Sequence, residues 1–245
     1  MDRRVMPVAT ILLLLAGCTS TRQQSSAGFV PPAGTYKLIV MRPDIAVSLV
    51  TAGGQLEQRE DWTLQARDNV LASLRSQQAR RGGTTQIALT RAEAGSDDAT
   101  IIELNQLHEV VGQSIMLHKF SPGSALPSKK GKFDWTLGAL ATQYGGQSGY
   151  DYALFLFARD SFSSSGRAAL QAVGVLGCMV GFCYIPQGGI QQAFASLVDL
   201  KTGDVVWFNF LTSDLGDIRT TEGANTMVAQ LLNPMGQDPK KKSKD

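Results

Sequence analysis

Residues 194–210, FASLVDLKTGDVVWFNF, read as two strands and the turn that joins them. Both runs, 194–200 and 205–210, are apolar and rich in β-branched and aromatic residues, and the break between them is Lys201-Thr202-Gly203-Asp204. Gly203 is available for the positive φ that a type I turn with a bulge needs, so the stretch predicts a β-hairpin. Upstream, residues 152–158, YALFLFA, form an uninterrupted apolar run of strand length after Gly145, Gly146 and Gly149. Such a run suits a central strand covered on both faces.

Working outward, Ala224, Met227, Val228, Leu231 and Leu232 recur at the i, i+3, i+4, i+7, i+8 positions of a last helix starting near Thr220. Toward the start, 36–41 (YKLIVM) and 45–50 read as strands stopped by Pro43 and by Gly53-Gly54. Asp61 is placed to cap a helix with Trp62, Ala66, Val70 and Leu74 on one face, and 86–90 reads as a short strand. From Asp98 the longest helical stripe runs through Ile101, Leu104, His108, Val111, Ile115 and His118; Asp134 is placed to cap a shorter helix carrying Leu137, Leu140, Ala141 and Tyr144. The fold class read from this order is α/β, mixed α+β, with one mixed sheet flanked by helices and an apolar excursion between two of its strands.

The first residues carry an address. Asp2-Arg3-Arg4, an apolar run over 5–15 and then Leu15-Ala16-Gly17-Cys18 give a basic start, a short apolar core and small residues before a cysteine. This pattern is that of a bacterial lipoprotein signal: residues 1–17 are cut away and Cys18 carries the acyl chains, palmitate among them. The apolar run is too short to span a bilayer, which takes about 20 residues. Thr19 follows the cysteine in place of an inner-membrane retention aspartate, so the expected location is the periplasmic face of the cell outer membrane. Residues 18–34 read as an acylated tether with a coil span of roughly 20 to 25 Å, 35–233 as a single domain, and 234–245 as a disordered basic tail.

Formal charge is +2. Losing Asp2, Arg3 and Arg4 leaves +1, and the tail from Lys240 to the end carries +3, so the body sits near −2. That subtraction removes the case for a nucleic-acid partner. With 43% apolar and 18% charged residues the composition is that of a folded domain with a sizeable core.

Residues 168–185, AALQAVGVLGCMVGFCYI, hold no charge. Because they join two strands of one sheet, the expectation is a buried or surface-packed excursion that the domain covers itself; a membrane-touching or partner-binding hairpin and a true span are the alternatives. Without alternation of apolar and polar residues they do not read as barrel strands. Cys178 and Cys183 are the even remainder once Cys18 is acylated, a possible disulfide in an oxidising compartment or else two buried thiols. On a continuous helix they would be turned apart by about 140°, so a bridge requires a turn, which Gly181 could supply.

No constellation of acid, base and nucleophile emerges. Gly146-Gln147-Ser148-Gly149 falls short of G-x-S-x-G, and no serine begins S-x-x-K. His108 and His118 lie about 15 Å apart if on one helix, too far to share a metal. Asp151, Arg159, Asp160, Asp214, Asp217 and Arg219 suit salt bridges and caps, and 161–167 (SFSSSGR) reads as a flexible loop. The expectation is a non-enzyme with no cofactor and no metal site.

The buried strand after a Gly-rich turn, followed by ASLVDLKTGDVVWFN at 195–209 and a terminal amphipathic helix, resembles a group of envelope lipoproteins. The group includes the curli secretion lipoprotein, the lipoprotein activators of peptidoglycan synthases and the N-terminal domain of the Tol-Pal translocation protein. The likeness covers residues 36–232 loosely and 150–232 at the level of motif. It implies a mixed sheet flanked by helices. KKGKFDWTLG at 129–138 and YALFLFARDSF at 152–162 resemble an uncharacterised bacterial envelope lipoprotein family, from which no activity carries over. The expected role is a binding or assembly module that meets an envelope protein or the cell wall while held to the membrane by its lipid; the alternative is a component of a membrane-inserting or secretion assembly that uses 168–185.

Overall fold

The computed structural model describes residues 19–26, 29, 36–81, 86–89, 99–213, 216–233 and 235. Their strands are β1 (Thr19–Ser25), β2 (Lys37–Val40), β3 (Asp44–Val50), β4 (Leu56–Gln58), β5 (Gln86–Leu89), β6 (Tyr152–Ser163), β7 (Gln191–Asp199) and β8 (Val205–Ser213). The helices are α1 (Glu60–Arg81), α2 (Ala99–Ile115), α3 (Gly138–Ser148), α4 (Ser165–Met179) and α5 (Thr221–Leu232). All eight strands join one mixed sheet in the order β1-β8-β7-β6-β2-β5, with β3 on β6 and β4 on β3.

β6 organises the sheet because it is long enough to take two parallel neighbours in succession. Its start pairs with β2, Leu38 opposite Tyr152, and its end with β3, from Asp44 opposite Phe157 to Val50 opposite Ser163. Its other edge pairs antiparallel with β7, which returns through the 201–204 turn as β8. Gly203 takes φ +80° in that turn, the conformation that the hairpin reading requires.

Alternation along β6 divides the interior in two. Leu154, Leu156 and Ala158 face a layer with Ala66, Val70 and Leu74 of α1 and Ala224, Met227, Val228 and Leu231 of α5. Ala153, Phe155 and Phe157 face Leu104 and Ile115 of α2 with Ala141 and Tyr144 of α3, beside Phe194 and Phe208. Helices therefore cover both faces, which is why 152–158 is apolar at every position. Between β8 and α5, buried Asn209 donates to the carbonyls of Gln230 and Leu231, satisfying the end of α5.

Four expectations need correction. The first stretch of the expected tether is a strand: β1 pairs with β8 through seven residues, Thr19 opposite Ser213 to Ser25 opposite Trp207. TSTRQQS is poor in apolar residues, but an edge strand is held by its main chain, and here Ser20, Thr21 and Arg22 are exposed while Gln23, Gln24 and Ser25 are only half-buried, so low hydropathy does not forbid it. Asp61 does not cap α1; it lies in the first turn and pairs with Arg59. Asp134 pairs with Lys129, and α3 starts later, from Leu137 as N-cap. Finally, 161–167 is no loop but the end of β6 and the first turn of α4, with Ser164 Oγ accepting from the Arg167 amide. Residues 1–18, most of 27–35 and, apart from Met235, the tail from 234 lie outside the described residues.

Candidate functional site

α4 and the return segment 180–190 form a hairpin that leaves the sheet between β6 and β7. The expectation that the domain covers this excursion is overturned: no residue of α4 is buried. Met179 is 80% exposed, Phe182 83% and Tyr184 76%, and Leu170, Val173, Val175, Leu176 and Val180 are exposed with them. The reason lies in the order of residues around the helix. Arg167, Gln171, Gly174, Gly177 and Cys178 are the shielded stripe, at steps of three and four, and they face the return segment. Arg167 Nε donates to the Gln187 carbonyl and Gln171 Nε2 to that of Pro186. Gly174 lies against the Tyr184 carbonyl so closely that a Cβ there would collide, and a Cβ on Gly177 would stand 2.6 Å from the Phe182 carbonyl oxygen. The polar and small residues thus point inward and the large apolar ones outward.

The hairpin is closed on itself at both ends. Cys178 and Cys183 are disulfide-linked, with Cα atoms 3.9 Å apart. Gly181, at φ +95°, makes the turn that this proximity needs. At the root, Ser161 Oγ donates to the Ile190 carbonyl and accepts from the Ile190 amide. Arg167 Nη1 also reaches the Ala52 carbonyl in the turn after β3.

Beside the root lies a cleft of about 200 Å³ lined by Asp160, Ser161, Ser163, Gln191 and Gly216. Asp160 is buried, and its Oδ2 accepts from Gln191 Nε2 and the Ile218 amide. Burial outweighs these bonds and pushes its carboxyl up to about 6. A second, more open cleft of about 600 Å³ lies between Met116, Leu117, Phe120 and Phe210. Its apolar wall comes from a π-helical turn over Met116–Phe120 that continues α2, an irregularity that helix periodicity does not announce.

The other candidates fall into structural places. His108 is buried, stacked on Phe155 at 4.8 Å between centroids, with Nε2 2.8 Å from Ser196 Oγ. Burial pushes its imidazole down to about 3, so it is neutral. His118 Nδ1 donates to the Ser124 carbonyl. Arg159 pairs with Asp44 at 2.9 Å and Glu109 at 3.4 Å, Asp151 with Lys201, and Arg219 with Asp217 while lying over Phe162 and Trp62. Asp214 and Cys18 lie outside the described residues. Among the described residues no three His, Cys, Asp or Glu side chains gather as a metal site, and no helix is long and apolar enough to cross a membrane.

No family model matches the chain, and no curated protein does. Among solved structures it is similar to a PelC dodecamer from Paraburkholderia phytofirmans, at 15% identity and TM-score 0.36, covering 90% of this chain and 99% of that one. It is also similar to the LpoB C-terminal domain from Salmonella enterica, at 14% identity and TM-score 0.28, covering 76% of this chain and 86% of that one. These likenesses are too loose to carry a functional argument.

Proposed function

We propose that the chain is a lipoprotein held by acylated Cys18 on the periplasmic face of the bacterial outer membrane, where its domain acts as a non-enzymatic binding or assembly module of the cell envelope. One observation carries the reading: β1 already includes Thr19, the residue directly after the cysteine of LAGC. A cut before Cys18 therefore removes residues 1–17 and spares every strand among the described residues, and acyl chains on Cys18 would be joined one residue ahead of β1. Two or more acyl-type signals are enough for stable anchoring without a spanning helix. The work assigned to the domain is contact with an envelope protein or the cell wall, since the buried histidine and carboxylate among the described residues, His108 and Asp160, are engaged in packing and hydrogen bonds. A second reading, a component of a membrane-inserting or secretion assembly, is favoured by the exposed apolar hairpin at 168–185.

Mass spectrometry of the mature protein tests the anchor. The expected product begins at Cys18 with acyl mass on its first residue, and Cys18→Ser leaves an uncut, unacylated precursor. A mature chain with a free N-terminus at another position would overturn the reading.

A further inference from the structure

The strand register places the hairpin and Thr19, the residue after Cys18 in the sequence, at one end of the sheet. Thr19 is opposite Ser213, Ser213 is opposite Gln191, and Gln191 is the first residue of β7 after the hairpin returns. β6 runs three residues past that level to Ser163, since Arg159 lies opposite Gln192. Neighbouring strands are about 4.8 Å apart, so Thr19 lies roughly 10 Å to the side of Gln191 at the hairpin root. In the sequence Cys18 directly precedes Thr19, the first residue of β1.

From this juxtaposition we infer that the hairpin over 165–190 seats in the lipid surface beside the acyl chains of Cys18, as a second, protein-made membrane contact. The inference rests on the proposed acylation of Cys18. A lipid surface is the occupant that fits this placement: the anchor brings a bilayer to this end of the sheet, and what the end offers is an uncharged apolar surface. Large apolar patches left open to water are rare on soluble monomers. The depth is interfacial. α4 is about 22 Å long, too short to cross a hydrocarbon core of about 30 Å. The return segment 180–190 has no regular secondary structure, and irregular backbone is not tolerated facing hydrocarbon. Leu176, Met179, Phe182 and Tyr184 then enter the headgroup boundary, while Arg167 and Gln171 hold the two arms of the hairpin together behind them.

The full-length mature protein, reconstituted into phosphatidylethanolamine and phosphatidylglycerol vesicles containing a phosphatidylcholine with a diazirine on its acyl chain, tests this. Trypsin releases the hairpin as residues 168–201, which hold no internal Lys or Arg, and the anchor as residues 18–22. Photolysis is expected to place lipid on 168–201. The triple variant Leu176→Ser, Met179→Ser, Phe182→Ser alters only exposed side chains, and it is expected to lower that labelling about ten-fold with an unchanged circular dichroism spectrum. Labelling absent from 168–201, equal in the variant, or replaced by cross-links between two copies of the hairpin would overturn the inference. The mass of 18–22 reports acylation in the same digest, so a failed anchor with a labelled hairpin sinks the lipoprotein reading and leaves the membrane contact standing.

Discussion

His108 stays neutral in the fold because its ring is sandwiched between Phe155 and Phe194 with only Ser196 Oγ near Nε2. Its folded pKa of about 3 lies below the ordinary 6.5, so the unfolded chain takes the proton first. The stability it lends is present above pH 6.5 and is lost as pH falls toward 3. Asp160 works the other way. Its carboxyl, raised from 3.8 to about 6, holds its proton longer in the folded state, and the stability it lends is lost as pH rises through about 6. The two trends oppose each other between pH 4 and 6. Asp160→Asn removes one of them, so its unfolding free energy should climb over that window by about 2 to 3 kcal/mol more than that of the natural protein. Urea denaturation at a series of pH values checks this; parallel curves would mean that Asp160 ionises at its ordinary pH. At Cys178 and Cys183, thiol labelling of denatured protein isolated without reductant should find neither sulfur reactive. Stoichiometric labelling of both would show a reduced pair.

Leu156 sits in the middle of β6, 2% exposed, in the layer that also holds α1 and α5. Leu156→Ala should cost about 2 to 5 kcal/mol by chemical denaturation, as large-to-small core changes do. A shift below about 1 kcal/mol would mean that the site collapses around the smaller side chain. The strands and helices with a buried face were legible because burial imposes a period: every residue of 152–158 is apolar since both faces are covered, and Ala224, Met227, Val228 and Leu231 repeat as α5 repeats. β1 and β4 were not legible, because an edge strand buries little and draws its stability from main-chain bonds that no side chain announces. The hairpin was legible in composition and misread in position. Eighteen uncharged residues imply removal from water, but only the placement of Arg167, Gln171, Gly174 and Gly177 on one stripe shows that the apolar side chains point out, and that stripe gains meaning only once the return segment lies against it. Caps were the least secure feature, since Asp61 and Asp134 each found a basic partner nearby instead of a helix start.

At the scale of the whole molecule, the sheet has two unlike ends. One gathers Thr19, Ser213, Gln191, the hairpin root and the turn after β3; the other carries the 201–204 turn, where Asp151 and Lys201 pair. In the proposed orientation, with the first end toward the membrane, the second end faces away from it, and β7 and β8, nine residues each, set a stand-off of roughly 30 Å. Partners of the proposed module would then be met at the far end or along the helical faces. The pairing of β1 also has a mechanical consequence. A pull on the chain ahead of Thr19, directed along the strand, loads the seven paired positions from Thr19 to Ser25 side by side, in shear, where a pull across the strand would open them one after another. A domain tugged along this axis resists as a lap joint does: the load is shared along the overlap, and the joint holds until the whole strand slides.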